Sequence, residues 1–213
     1  ARTVFTISRF TRQVLIDQGV DSERIVLVPP CADPTKCDPS KVKEPLCAAR
    51  LAGKRILLTV GRLTRRKGQD MVLQALPSLL QDHADLHYVM VGQGEDESRL
   101  RAMSAELGIE DRVTMVTDAS EEESAWFYKN CEVFVSPNRT LANGDTEGFG
   151  IVFLEAGFWG KRVIGGNAGG VPDAIEDKVT GLLVDGSEAA DIARAIRVLL
   201  EDPELARRMG MEG

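Results

Sequence analysis

The chain has 213 residues, 43% of them hydrophobic and 28% charged, the balance of a globular protein with a full core. A net charge of −7 argues against a general nucleic-acid binder, and no apolar run approaches the roughly 20 residues of a membrane-spanning helix. The start, Ala1-Arg2-Thr3, resembles no signal peptide, and the end, Met211-Glu212-Gly213, carries no closing element, so the sequence reads as a fragment. Cys31, Cys37, Cys47 and Cys131 lack CxxC spacing and read as free thiols of a reducing, cytoplasmic compartment.

Weak alternation over residues 4–8 leads into helix-spaced apolar positions over 10–18, which stop at Gly19, a C-terminal cap. Residues 25–28 form a short apolar strand running into Pro29-Pro30. From there to Pro45 come prolines and charges without periodicity, the best candidate for a linker. A domain boundary is therefore expected between 1–45 and 46–213.

Beyond it, strands and helices alternate. Strands are predicted at 55–60, 86–91, 112–116, 133–136, 162–164 and 181–184, and helices at 70–80, 98–107, 121–130, from about 150 to Trp159, and 188–201. Ser120 is the N-cap of the helix that opens with Glu121-Glu122-Glu123. Buried-looking strands alternating with amphipathic helices specify an α/β fold, a parallel sheet flanked by helices on both faces. Such sheets bind ligands at the carboxyl ends of their strands. That rule collects segments 61–68, 92–95, 117–120, 137–150 and 165–170, the last a glycine-rich turn, on a single rim. Trp126 and Trp159 occupy helical apolar positions and belong to the core.

Two stretches on the rim carry chemistry. In Gly144-Asp145-Thr146-Glu147-Gly148-Phe149-Gly150, two glycines around one aromatic open a helix, so backbone N–H groups and the positive dipole end face outward. Glu147 lies in this loop and Glu155 between one and two turns into the helix, a pair suited to dividing work between a reacting group and hydroxyls. In Gly61-Arg62-Leu63-Thr64-Arg65-Arg66-Lys67-Gly68, four cations follow a strand in an otherwise acidic chain, which suits a polyanion such as a diphosphate. Of these, Arg65 and Arg66 are expected in solvent. Gly92-Gln93-Gly94 lacks the third glycine of a dinucleotide fingerprint. A glycosidase acid pair formed by Glu147 and Glu155 stays open, although the basic turn has no task in hydrolysing an uncharged glycoside. His83 and His87 straddle a helix end and a strand start, and no metal site is expected. Asn138 and Arg139 are left between contact with an acceptor or lipid and an ordinary loop role.

Together, Gly61-Arg62-Leu63 with Lys67-Gly68, Glu147-Gly148-Phe149-Gly150 eight residues ahead of Glu155, Gly169-Gly170-Val171-Pro172-Asp173 and Gly181-Leu182-Leu183-Val184 resemble the retaining glycosyltransferases of family 4, which have the GT-B fold. Ser8-Arg9-Phe10-Thr11-Arg12, with Arg24-Ile25 and Val28-Pro29, resembles that family's last strand–helix unit before the donor domain. The resemblance implies a Rossmann-like donor domain over 46–213, preceded by a tail of the N-terminal acceptor domain and the linker over 1–45. Carried over by position, Gly61, Arg62 and Lys67 bind the diphosphate, and Glu147 faces the transferred sugar. Gly148, Phe149, Gly150, Ile151 and Val152 offer backbone contacts, Glu155 bridges the ribose hydroxyls, and Val116 and Asp118 edge the base. Glu147, Arg62 and Lys67 are the catalytic set, with neither metal nor other cofactor.

The implied partners are a nucleotide-diphosphate sugar and a carbohydrate or lipid-linked acceptor. The implied location is cytoplasmic, with peripheral contact at the inner membrane face through the N-terminal domain. The sequence departs from the family at Pro29-Pro30-Cys31-Ala32-Asp33, at Thr117 and at Asn130-Cys131-Glu132. Base, sugar and acceptor stay undetermined. Rival readings are a non-catalytic nucleotide-sugar-binding module, and an epimerase or phosphorylase on a related two-domain scaffold.

Overall fold

Residues 3–212 are described by a computed structural model, in which the chain builds two parallel sheets. The smaller pairs β1 (Val4–Thr6) with β2 (Ile25–Leu27), joined by α1 (Arg9–Asp17). Ser8 caps α1 reciprocally: Thr11 N–H donates to Ser8 Oγ at 3.0 Å, and Ser8 N–H donates to Thr11 Oγ1 at 3.1 Å. Gly19 takes the left-handed conformation just past the helix, as its place in the pattern predicts.

The larger sheet holds β3 (Arg55–Val60), β4 (Leu86–Val91), β5 (Val113–Val116), β6 (Val133–Ser136), β7 (Arg162–Gly166) and β8 (Gly181–Val184). Its helices are α2 (Ala48–Leu51), α3 (Gln69–Leu80), α4 (Glu97–Glu106), α5 (Glu121–Asn130), α6 (Ile151–Phe158), α7 (Val171–Ala174), α8 (Ala189–Glu201) and α9 (Pro203–Glu212). Strand order is β5-β4-β3-β6-β7-β8, all parallel. Alternation along β3 sets the two layers. Leu57 packs with Leu73, Leu76, Ile196 and Leu199 of α3 and α8, while Ile56 and Leu58 join Phe127, Phe134 and Phe153 on the other face. The order reverses between β3 and β6, so the loops after those two strands flank the crevice where open α/β sheets bind ligands.

The structure adds to the sequence reading at α9, in β7 and along the linker. Helix α9, absent from the sequence reading, places Ala206 and Met209 in the core, and a Cβ on its Gly210 would collide with the Gly160 carbonyl. Strand β7 runs on through Gly165 and Gly166, and a side chain at Gly166 would overlap the Asn138 carbonyl. The stretch 29–45 is tethered to the start of α5. Lys43 N–H donates to Glu122 O at 3.1 Å, and Lys36 and Lys43 pair with Glu121 and Glu123 at 2.6 and 3.3 Å. Trp126 and Trp159 are half-buried at the border of the second layer. Ser120 caps α5, its hydroxyl accepting from Glu123 N–H at 3.2 Å. All four cysteines are unpaired. Among the described residues no helix is long and apolar enough to cross a membrane.

Candidate donor site

The turn after β3 owes its shape to the glycines at its ends. Gly61 has φ of 141° and Gly68 φ of 76°, settings that L side chains rarely adopt. A Cβ on Gly68 would collide with the Pro137 carbonyl, so this glycine also lets the β3 and β6 loops touch. Leu63 N–H donates to Gln93 O at 2.9 Å, and the Gln69 amide donates to Arg62 O at 3.0 Å, fixing the turn to the next loop and to α3. Its four cations then diverge. Arg62 is exposed, 3.7 Å from Glu95, and Arg65 is exposed too, whereas Lys67 is buried and Arg66 is turned inward.

Lys67 and Arg66 converge on Glu147. Its Oε2 accepts from Lys67 Nζ at 2.5 Å, from Arg66 Nη1 at 2.8 Å and from Asn138 Nδ2 at 3.1 Å. Arg66 also lies 3.4 Å from Asp145 at the mouth of the loop. Burial pushes the Glu147 carboxyl up, but the charge and hydrogen bond of Lys67, then those of Arg66, outweigh it and hold the group below its ordinary value. The basic turn and the glycine loop therefore share one cleft. Lys67 and Arg66 share Glu147, and the exposed Asp145 balances the second charge, that of Arg66.

Helix α6 opens beside this cluster. Gly150 stands at its N-cap with φ of 97°, where a Cβ would strike the Phe153 ring. Phe149 is buried and Val152 packs into the second layer, so their amides, rather than their side chains, are what this stretch can offer a ligand. The first N–H groups of a helix have no partner inside it, which suits them to phosphate or sugar oxygens. Gly148 lies under Ile7, whose Cδ1 is 3.3 Å from where a Cβ would stand. Gly170 N–H donates to Glu147 O at 2.8 Å. Arg9, two residues after Ile7, donates its backbone N–H to Asp173 Oδ2 at 2.8 Å and pairs with the same carboxylate through its guanidinium. The small sheet thus abuts the loop that carries Glu147.

Glu155, more than a turn into α6, has different company. It accepts from Tyr128 Oη at 2.7 Å. Burial, then the Glu155 charge and the hydrogen bond to it, push the Tyr128 phenol well above its ordinary value, so the hydroxyl stays a proton donor. The carboxylate borders a cavity of about 150 Å³ lined also by Val60, Ser124 and Tyr128, and by Lys36 and Cys37 of the linker. Val60 immediately precedes Gly61, which puts this cavity on the same rim as the cation cluster.

Residues 48–213 match the family model described as Glycosyl transferases group 1. The chain belongs to this family. A GDP-mannose-dependent alpha-(1-6)-phosphatidylinositol monomannoside mannosyltransferase of Mycolicibacterium smegmatis is 34% identical over 216 residues, covering 100% of this chain and 56% of that protein. A D-inositol 3-phosphate glycosyltransferase of Nocardia farcinica is also 34% identical, covering 99% of this chain and 47% of its own length. The chain thus spans about half the length of the curated relatives it matches. Among solved structures, Anabaena HepE in complex with UDP and glucose superposes with a TM-score of 0.86 at 22% identity, over 100% of this chain and 57% of that one. A C-terminal domain of a glycosyl transferase group 1 family protein from Francisella tularensis superposes at 0.66 with 22% identity, over 84% of this chain and 87% of that one. The fold is that of the C-terminal domain of GT-B glycosyltransferases.

Within this group 1 chain, the structure gathers Gly61, Lys67, Glu147, Gly148, Phe149, Gly150, Ile151 and Val152 around one cluster, with Glu155 farther along the rim. Arg62 stands apart, with its side chain in solvent. Val116 ends β5 and its carbonyl accepts from Gly92 N–H at 2.9 Å, while Asp118 is exposed on the loop beyond. The expectation of a solvated Arg66 fails. In a tight helical turn over Arg65–Lys67, successive side chains splay about 120° apart, so not every cation of the run can face water. Asn138 and Arg139 also turn inward, Asn138 to Glu147 and Arg139 to Asp70. His83 and His87 take separate partners: Arg55 lies 3.4 Å from His83 Nδ1, and Thr114 lies 2.8 Å from His87 Nε2.

Proposed function

We propose that the chain is the donor-binding part of a retaining glycosyltransferase of family 4. In this reading, 46–213 is the donor domain and 1–45 is the tail of the acceptor domain with its linker. One observation carries it: Lys67, Arg66 and Glu147 meet at the switch point of the sheet, in front of the α6 N-terminus. Lys67 and Arg66 hold the diphosphate, with Arg62 reaching it from the outer side of the turn. Glu147, released from its cations, faces the hydroxyls of the transferred sugar. The amides of 149–152 take sugar and phosphate oxygens, Glu155 takes the ribose diol, and Val116 and Asp118 edge the base.

Transfer breaks the bond between the anomeric carbon and the phosphate oxygen and forms one to an acceptor oxygen. Attack comes on the face the phosphate leaves, which retains configuration, and the departing phosphate oxygen takes the acceptor proton. Charge grows on the leaving diphosphate, and cations fixed in advance stabilise it without reorganisation. The proposed site uses no metal or other cofactor. The relatives' descriptions support a GDP-linked mannose donor and an inositol-bearing acceptor. In this reading the whole protein works in the cytoplasm, and a lipid-linked acceptor would bring its N-terminal domain to the inner membrane face.

Calorimetric titration of the chain with GDP, UDP, ADP and their sugars tests the reading. Binding of one nucleoside diphosphate class, GDP first, is expected, and it weakens in Lys67→Ala. Failure of all of them to bind overturns the donor-site reading.

A further inference from the structure

A buried ionic network lies behind the donor cluster and has no part in the roles above. Asp70, in the first turn of α3, is a buried carboxylate, and such a charge is costly unless paired. Arg139 forks it, Nη1 to Oδ1 at 2.9 Å and Nη2 to Oδ2 at 2.8 Å. Arg99 of α4 adds a bond to Oδ2 at 3.1 Å and is itself held to Asp96 through Nε at 2.6 Å. Burial pushes the Asp70 carboxyl up, and the hydrogen bonds and charge of Arg139, then those of Arg99, outweigh it and keep it ionised.

Arg139 connects this network to the site. Its backbone N–H donates to Arg66 O at 2.9 Å, so the forked arginine also holds the main chain of a residue that reaches Glu147. The preceding residue, Asn138, is 1% exposed and donates to Glu147 Oε2 at 3.1 Å. Pro137, before that, has its carbonyl against Gly68. Segments 66–70 and 137–139 are thus laced together, with the cations of Glu147 at one end and the Asp70 fork at the other. A buried ion pair adds little net stability over an apolar pair of equal volume, whereas a two-bond fork fixes direction as well as distance.

We infer that the Asp70–Arg139 pair is a positioning element of the donor site, setting where Arg66 and Asn138 meet Glu147. The inference rests on the donor-site reading and deepens it: these two residues touch no donor atom but hold in register the groups that do. A displacement of about 1 Å at such a distance from the chemistry is enough to cost binding or rate.

The test titrates GDP-mannose and GMP into the wild-type chain, Asp70→Asn, Arg139→Lys and Arg139→Gln, with melting temperatures alongside. GMP lacks the β-phosphate and sugar that reach the Lys67–Glu147 cluster. In Asp70→Asn and Arg139→Gln, GDP-mannose affinity is expected to fall about tenfold while GMP affinity stays within about twofold. Arg139→Lys, which keeps the charge and one bond, is expected to lose about threefold for GDP-mannose alone. If the first two variants do not fold, Arg139→Lys decides by the same pair of titrations. Lower melting temperatures with both affinities unchanged, or equal losses for both ligands, overturn the positioning role and leave the donor-site reading standing. If the wild-type chain takes a UDP- or ADP-sugar instead, the same titrations use that sugar and its nucleoside monophosphate, and no binding of any of these sugars removes both.

Discussion

Glu147 and Glu155 stand eight residues apart in chain and in opposite chemistry. Glu147 meets two cations and an amide, and is held ionised by them. Glu155 meets a neutral phenol that cannot readily give up its proton, and borders an open cavity. One end of the rim thus pairs its acid with cations, and the other with a neutral hydroxyl. In the proposed reading, a sugar diphosphate at the first and a ribose diol at the second satisfy both ends with one ligand.

The largest way to break that contrast is Lys67→Ala. Losing a hydrogen bond to a charged group costs about 1.5–3 kcal/mol, a ten- to hundredfold rise in the Kd of a nucleoside diphosphate. Calorimetry with di- and monophosphates should show the loss concentrated in the diphosphate. Glu155→Gln should act the other way round: mono- and diphosphates weaken alike, by about tenfold, because the ribose contact is common to both. Tyr128→Phe removes the hydroxyl that holds Glu155, and is expected to cost about 1 kcal/mol in nucleotide affinity while leaving inorganic pyrophosphate binding unchanged.

Acid should sharpen the contrast as well. The Glu147 carboxyl is lowered on folding, so its ion pair contributes stability that is fully present above the ordinary carboxylate range. That contribution is lost as pH falls through the folded value. Denaturant unfolding at descending pH should therefore show a steeper acid decline for wild type than for Glu147→Gln. The smallest effect belongs to Arg62→Ala. Its side chain is 74% exposed and 3.7 Å from Glu95, so stability should change by less than about 0.5 kcal/mol. Its effect on diphosphate affinity should be weaker than that of Lys67→Ala.

Much of the scaffold is legible in the sequence because burial on both faces writes itself as near-continuous apolar runs. β3 and β4 follow from the runs 55–60 and 86–91 residue for residue. The shared rim follows from strand–helix alternation alone, and Lys67 facing Glu147 is its consequence. The direction of Arg66 is not legible, since a run of three cations does not say which of them the turn points inward. The Asp70–Arg139 fork joins residues 69 apart and leaves no local trace. α9 is hidden because Pro203 reads as a stop and Arg207 and Arg208 dilute a pattern carried by few buried residues. Gly165 and Gly166 read as a turn, yet they continue β7, where a Cβ at Gly165 would strike the Ile175 and Val171 side chains and one at Gly166 the Asn138 backbone. The docking of the linker rests on pairing between separated lysines and glutamates, which composition does not specify.

The central claim is that the basic turn and the mouth of α6 hold one ligand. Backbone amide chemical shifts followed through a titration with GDP-mannose test it directly. Amides within 61–68 and 149–152 should move together along a single binding curve, with one Kd. Movement of one segment without the other, or two curves with different Kd values, would contradict it.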